Sequence, residues 1–341
     1  MTLTVNTNNA ATTAAFNLSR ANDDLRRSLA RLSSGNRIVD SRDDPGGMSV
    51  AYKLNSRLKR TEAVRQNVQN GTSYLQVQDG ALTSAGTIVS RMSELRAMAQ
   101  DVTKNSSDIE NYSKEFLELQ RQLGQIYREK FNGVSLFSVS GSSSIRPPAE
   151  PPLNKGQVVD GNLNQITVFS RSLLTHDSGQ FENGNISIGV TNFENVFGLG
   201  KLDTRYVVSF AGEESNLANA NGLNVQNYST SASTANAEVF NDEGFLKSIL
   251  FVSMGQFVST IERITDARAE NGAEQNRLLM VEELLSMNMT NIEAAHGRIM
   301  DADIALESTR FARHNVLVQA SASMVAQANQ LTNIVMTVLG R

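Results

Sequence analysis

Two apolar series repeating every seven residues, one in each half of the chain, constrain this sequence more than anything else in it. In the first half Leu54, Val68, Leu75, Leu82 and Val89 share one series, with Thr61 filling the remaining slot. In the second half Leu250, Phe257, Ile264, Leu278, Leu285, Ile292, Ile299 and Leu306 hold one register, interrupted only by Asn271. Between them Ile109, Tyr112, Phe116, Leu119, Leu123 and Ile126 alternate spacings of three and four. Sustained heptads indicate long helices packed in coiled-coil fashion. Asn271 buried in that seam would fix its register at a cost in stability; Asn271 exposed on a drifting helix fits the spacing equally well.

Proline placement permits such helices. All five prolines sit at Pro45 and in the cluster Pro147, Pro148, Pro151 and Pro152. An interior proline would cost ~3 kcal/mol. Gly35, after Leu32-Ser-Ser34, suits the position just past a helix C-terminus. Asp44 before Pro45 suits an N-cap followed by proline in the first turn, with Asp43 favouring the positive end of the helix dipole. The spacing predicts a helix to Ser34, a connector from Gly35 to Asp43, and a second helix from Pro45 to about Thr103. That second helix would be ~90 Å long, whereas a compact globule of this size is only about 50 Å across. The expected molecule is a rod.

From Ser138 to about Phe240 the heptads vanish and Gly, Ser and Asn rise. Ile166-Thr-Val168, Ile186-Ser-Ile188-Gly-Val190 and Tyr206-Val-Val-Ser-Phe210 read as short strands, with turns such as Asn183-Gly184 between them. The polar tract from Asn221 to Ala237 reads equally as part of this β-rich region or as a disordered loop. The fold class expected is therefore mainly α: a helical rod made by both halves together, carrying an inserted β-rich domain.

Composition excludes several functions. There is no cysteine among the 341 residues, so disulfides, thiolate metal sites and thiol nucleophiles are out. A net charge of -4 gives no reason to expect nucleic-acid binding. No run approaches the ~18 apolar residues of a membrane span, and the polar first twenty residues lack a secretory-signal pattern. That pattern suits a cytoplasmic protein or one exported by a route that reads no such signal. The only histidines, His176, His296 and His314, form no H-E-x-x-H, and no P-loop, dinucleotide fingerprint or nucleophile elbow is present. His314 reads as a packing or surface residue. Asp301 and Asp303, two apart on an expected helix, do not share a face, so capping or intersubunit pairing suits them better than a cation site. Asn105-Ser-Ser107 fits a glycosylation sequon of low specificity. No enzymatic activity and no cofactor are expected.

The two ends belong together. Residues 1–60 carry ten basic and five acidic side chains, residues 270–341 five basic and eight acidic ones. The opposite balance favours their lying side by side. Leu18, Leu25 and Leu32 near the start, and Leu317, Met324, Leu331 and Val338 near the end, are the expected subunit-packing positions. The last helix is otherwise rich in Ala, Ser, Gln and Asn and would be marginal alone in water.

The motifs in these ends resemble those of the bacterial flagellins. Arg31-Leu-Ser-Ser-Gly-Asn-Arg-Ile38 followed by Asp43-Asp44-Pro45-Gly46-Gly47 is similar to the family's R-L-S-S-G-x-R-I and D-D-A-A-G. Asn70-Gly71, Asp79-Gly80-Ala81-Leu82 and Phe131-Asn132-Gly133 continue the match. In the second half Gly272-Ala273, Asn276-Arg277-Leu278, Arg298-Ile299-x-Asp301-Ala302-Asp303, Gln319-Ala320 and Gln327-Ala328-Asn329-Gln330 do the same. The chain departs at Pro45-Gly46, at His296-Gly297 and at Thr332-Asn333; Gly297 inside a helix could mark a bend.

The resemblance implies a self-assembling extracellular subunit of the flagellar filament, exported by the flagellar type III apparatus. It implies residues 1–42 with 297–341 as the inner tube, and 43–138 with 241–296 as the surrounding helical rod. Residues 139–240 would be the variable outer domain. Implied partners are other copies of the chain, an export chaperone, and the filament cap and hook–filament junction proteins. The alternative reading is a hook–filament junction protein, built from similar terminal helices. Arg42, Asp43, Asp44, Pro45, Gly46 and Gly47 would form the connector loop. Arg91, Leu95 and Glu115 fall where flagellins recognised by Toll-like receptor 5 carry matching residues. Leu95 as plain core and Arg91 as a solvated charge or salt bridge is the competing reading.

Overall fold

The computed structural model describes residues 8–138, 154–159, 165–176, 184–197 and 245–339, with the side chains of 154–168, 194–195 and 331–339 excluded. The expected strand Tyr206–Phe210, the proline cluster, Asn183 and the polar tract from Asn221 lie outside the described residues. The elements in order are α1 (Asn9–Ser34), α2 (Pro45–Ala99), α3 (Ser106–Tyr127), β1 (Lys130–Phe131), β2 (Val134–Ser135), β3 (Phe137–Ser138), β4 (Asn154–Val159), β5 (Gln165–Leu174), β6 (Asn185–Asn192) and α4 (Phe193–Phe197). A single 3₁₀ turn (Ile249–Phe251), α5 (Met254–Met300) and α6 (Ile304–Leu339) follow. The chain divides into two compact units, Glu62–Ser286 and the two ends Met1–Thr61 with Met287–Arg341.

In the larger unit the heptads are the core. Val68, Leu75, Leu82 and Val89 from α2, Phe116 and Leu123 from α3, and Phe257, Ile264, Leu278 and Leu285 from α5 are all buried in one cluster. Each fully buried member contributes roughly 1.5–3 kcal/mol. Asn271 is buried with them. Its amide donates to the Leu75 carbonyl and to Gln78 Oε1, both at 3.1 Å, and its own Oδ1 accepts from Gln275 Nε2 at 2.7 Å. Gln78 in turn donates to the Leu136 carbonyl at 3.0 Å and to Thr191 Oγ1 at 3.2 Å. A polar ladder thus runs from α5 through α2 to β6.

The sheet has the order β3-β6-β5-β4, with β3 and β6 parallel and the other pairs antiparallel. The expected strands at 166–168 and 186–190 lie within β5 and β6. Ile186, Ile188, Phe193 and Phe197 join the helical core. Gly71 allows this approach: a Cβ there would stand 2.8 Å from Leu173 Cδ2 and 3.2 Å from Ile188 Cδ1. On α5, Glu274 accepts the Gly189 N–H through both carboxylate oxygens at 2.9 Å. Burial pushes that carboxyl above its ordinary value, against the opposing pull of the Gly189 N–H. The segment entering α5 is pinned to α3 by Gln120, whose side chain exchanges two 3.0 Å hydrogen bonds with the backbone of Leu246.

In the smaller unit α1 and α6 lie along each other. The helix α1 ends where expected: Gly35 adopts φ 72° and its N–H reaches the Arg31 carbonyl, a left-handed cap that glycine enters without penalty. Asp44 caps α2 by accepting the Gly47 N–H at 2.8 Å. The other end of α2 falls short of the expected Thr103, stopping at Ala99, where turn bonds from Gln100 and Asp101 take over.

Candidate assembly surface

The chain reverses out of α1 and into α6 through two short breaks that are hydrogen-bonded to each other. The Arg37 N–H reaches the Met300 carbonyl at 2.5 Å, the Ala302 N–H reaches the Gly35 carbonyl at 2.9 Å, and Asn36 pairs with Asp301 in an antiparallel bridge. This corrects the expectation that Asp301 and Asp303 ride on a continuous helix. Asp303 instead caps α6, accepting the N–H groups of Ala305 and Leu306 at 3.0 and 3.1 Å. Gly297 leaves room for Asp301, since a Cβ there would stand 2.7 Å from its Oδ2. The break also shifts the register: Leu306, seven residues after Ile299, is exposed, and Glu307 takes the inward place.

The connector residues divide by role. Arg31 donates to Asp43 Oδ2 at 3.5 Å, and Arg42 donates to Asp40 at 2.7 Å while remaining largely exposed. The Arg42 side chain holds the Asp40 carboxyl below its ordinary range. Pro45 and Gly46 are exposed, and the Gly47 N–H is the one capped by Asp44.

Two stripes run down α6. The inward one is Glu307, Phe311, His314, Val318, Ser321, Val325 and Ala328, all buried or half-buried. Opposite it, α1 turns in Leu18, Ala21, Leu25, Ser28 and Leu32. The helices are antiparallel, with Asn8 Nδ2 on the Ala328 carbonyl at 2.8 Å at one end and Ser28 on Glu307 near the other. Burial pushes the Glu307 carboxyl up, but its bonds to Ser28 and Arg310 and the nearby Arg31 outweigh this and hold it below its ordinary value. The outward stripe carries Leu317 (43% exposed) and Met324 (64%), with Val316 and, on α1, Phe16 and Leu29 also exposed. Of the expected packing positions, then, Leu18, Leu25 and Leu32 serve the seam within the chain, and Leu317 and Met324 stand outside it. Leu331 and Val338 lie on the backbone of α6, their side chains outside the described residues.

On the larger unit Arg91 donates to Glu115 at 2.8 Å and to Glu94 at 3.1 Å, an exposed ion cluster joining α2 to α3. These partners push the Arg91 guanidinium further up. Leu95 does not share this surface: it is fully buried, in the core cluster to which α2, α3 and α5 all contribute. Asn105 spends its side chain on a capping box with Asp108 at the start of α3. His314 sits in the α1–α6 seam, as a packing residue would. Among the described residues no cluster of acidic or histidine side chains is arranged to hold a metal ion, and no helix is long and apolar enough to cross a membrane.

The seam positions read out of the glutamate, histidine and serine of α6 were not recovered from apolar periodicity. Their own seven-residue spacing, Glu307-His314-Ser321-Ala328, was the available signal.

Comparison with known proteins agrees with this architecture. The family model for the bacterial flagellin N-terminal helical region matches residues 5–142, and that for the bacterial flagellin C-terminal helical region matches residues 255–339, together well over half of the chain. Flagellin A of Vibrio anguillarum is 28% identical over 384 residues, covering 99% of this chain and 100% of the relative. Flagellin of Bacillus subtilis is 28% identical over 338 residues, covering 98% and 99%. A flagellar hook-associated protein from Vibrio parahaemolyticus has a similar fold, with TM-score 0.50 at 13% identity, over 76% of this chain and all of that one. With matched regions at both ends and relatives aligned from end to end, the chain belongs to the bacterial flagellin family.

Proposed function

We infer that this chain is a structural subunit of the bacterial flagellar filament, which lies outside the cell and serves swimming. It self-assembles through the outward stripe of the α1–α6 pair. The observation that carries this is the exposure of Leu317, Met324, Val316 and Phe16 on the α1–α6 pair, outside the seam that Leu18, Leu25, Leu32, Phe311, Val318 and Val325 share with small and polar side chains. Large apolar groups left on one face mark a surface that another protein covers, and in this family the cover is a second copy. Residues 1–42 with 297–341 make the inner tube in this reading, 43–138 with 241–296 the helical wall, and 139–240 the outward domain. The chain acts without catalysis or cofactor. It leaves the cell through the flagellar type III apparatus with an export chaperone on its C-terminal segment, and meets the hook–filament junction and cap proteins at the ends of the polymer. A junction protein would share the terminal helices; full-length flagellin relatives favour the filament subunit.

Electron microscopy and sedimentation of purified full-length protein test the reading. Leu317→Asp and Met324→Asp should each raise the critical concentration for filament formation at least about tenfold, with circular dichroism unchanged. Filaments at the parent's critical concentration would refute it.

The Arg91–Glu94–Glu115 cluster is the part of the larger unit suited to Toll-like receptor 5, while Leu95 is buried in the core of the same unit. Arg91→Ala should weaken receptor activation by monomer without loss of helix content. A folded variant that signals as strongly as the parent would remove this role.

A further inference from the structure

The methionines are distributed unevenly between interior and surface. Met92 is completely buried. Met280 (71% exposed), Met287 (57%) and Met324 (64%) are the exposed ones among the described side chains. Each stands on a C-terminal helix beside other exposed apolar groups: Met280 one turn before Leu284 on α5, Met287 one turn after it, and Met324 two turns after Leu317 on α6. Methionine adapts to irregular contacts because its chain is unbranched and flexible. It also brings a thioether that a leucine in the same place would not.

We propose that Met280, Met287 and Met324 are oxidation sites through which peroxide blocks assembly of this chain, reversibly. The inference rests on the filament reading above, with the exposed α5 face of Met280, Leu284 and Met287 covered by a second copy as the α6 stripe is. The chemistry needs only hydrogen peroxide as oxidant. The thioether sulfur attacks one peroxide oxygen, the O–O bond breaks, and that oxygen stays on sulfur as the sulfoxide. The other oxygen leaves as water with both hydrogens, so sulfur loses two electrons and the peroxide gains them. The product is a polar, chiral acceptor where an apolar group had been. In the free subunit water solvates it. Between subunits it must find a donor in a contact shaped for a thioether, or go unsatisfied at a cost that weakens association. Because the three side chains project from the folded chain, their oxidation leaves the core around Met92 intact. The same coverage that makes the sulfoxide harmful in the polymer shields the thioether once the filament has formed. Susceptibility therefore belongs to the subunit before incorporation.

Full-length monomer is treated with dilute hydrogen peroxide until mass spectrometry of peptides shows sulfoxide at the three positions and thioether still at Met92. Its critical concentration is then compared with that of untreated protein. A rise of about tenfold or more is expected, with unchanged circular dichroism and recovery after the two epimer-specific methionine sulfoxide reductases. A variant carrying Met280→Leu, Met287→Leu and Met324→Leu, measured against its own untreated form, should show no shift with peroxide. Preformed filaments should acquire sulfoxide at the three positions more slowly than monomer. An unchanged critical concentration in the oxidised parent overturns the proposal, as does an equal loss in the oxidised leucine variant. If the untreated parent forms no filaments, the filament reading itself fails.

Discussion

Replacing Asn271 tests whether the polar ladder across the larger unit sets the pairing of α2 with α5. The side chain is 3% exposed and makes three hydrogen bonds, two donated and one accepted. Asn271→Ala leaves Gln78 Oε1, on a residue only 1% exposed, without that donor. An orphaned buried acceptor costs about 1–3 kcal/mol, and the small cavity adds to it, so the expected loss is about 2–4 kcal/mol. The Leu75 carbonyl and Gln275 are less affected, the first keeping its place in α2 and the second reaching water. Asn271→Leu refills the space and continues the heptad, yet leaves the same orphan, so it should still lose about 1–3 kcal/mol. The discriminating quantity is the coupling to Gln78. A cycle of Asn271→Leu, Gln78→Leu and the double variant should give an interaction of about 1–2 kcal/mol, because the first substitution removes what the second would have cost. Hydrogen exchange of the α5 amides, together with urea unfolding followed at 222 nm, supplies the stabilities. Additivity within about 0.3 kcal/mol would refute the ladder. So would an Asn271→Leu variant more stable than the parent, which would make Asn271 an ordinary interruption of the seam.

Two further expectations follow from the same geometry. The Glu307 carboxyl is held below its ordinary value, so the stability it contributes is present above its unfolded pKa of about 4.3 and lost as pH falls through its lower folded value; protection of α6 amides from exchange in Glu307→Gln, reduced by about 1.5–3 kcal/mol at pH 7, should converge on the parent's as pH falls below that folded value, and a gap independent of pH would contradict this. Replacing residues 200–240 with a short Gly/Ser bridge should leave filaments forming, whereas removing 154–197 withdraws Ile186, Ile188 and Phe193 from the core and should destabilise the larger unit in thermal melts; equal tolerance of both deletions would count against the packing of β6 on α2.

Most of the helical architecture was legible because its signals are local or periodic. Gly35, Asp44-Pro45 and the seven-residue series each act within a turn or two of themselves, and the helices begin, end and bury their faces accordingly. The misreadings have a common cause in long-range contact. Leu306 kept perfect spacing from Ile299, but spacing cannot register a break that exists because Asn36 pairs with Asp301. Leu95 lies one turn from Arg91, yet a 100° step per residue carries i+4 forty degrees around the helix, enough to move it from the exposed ion cluster into the buried core. Asn271 fitted both a buried and an exposed place until Gln78 and Leu75 came within reach. The parallel pairing of β3 with β6 and the clasp of Gln120 on Leu246 join residues far apart in sequence, and neither leaves a local mark.

The two stripes of α6 also bear on why such a chain would wait for its neighbours. An isolated helical pair is normally held by its largest apolar side chains turned inward. Here Leu18, Leu25, Leu32, Phe311, Val318 and Val325 turn inward but are only half-buried, among Ala21, Ser28, His314, Ser321, Ala328 and the Glu307 cluster, while Phe16, Leu29, Val316, Leu317 and Met324 face out. Burying one large side chain contributes roughly 1.5–3 kcal/mol, and an alanine or serine far less. The pair therefore gains only part of its apolar burial from closing on itself, and the rest comes from being covered. The polar members of the seam, Asn8 on Ala328 and Ser28 on Glu307, fix the alignment of α1 against α6 more than they hold the two together. An arrangement that sets register inside the subunit and leaves Phe16, Leu29, Val316, Leu317 and Met324 exposed reserves part of the stabilisation for the polymer. The subunit ends then order most firmly where other subunits are already present.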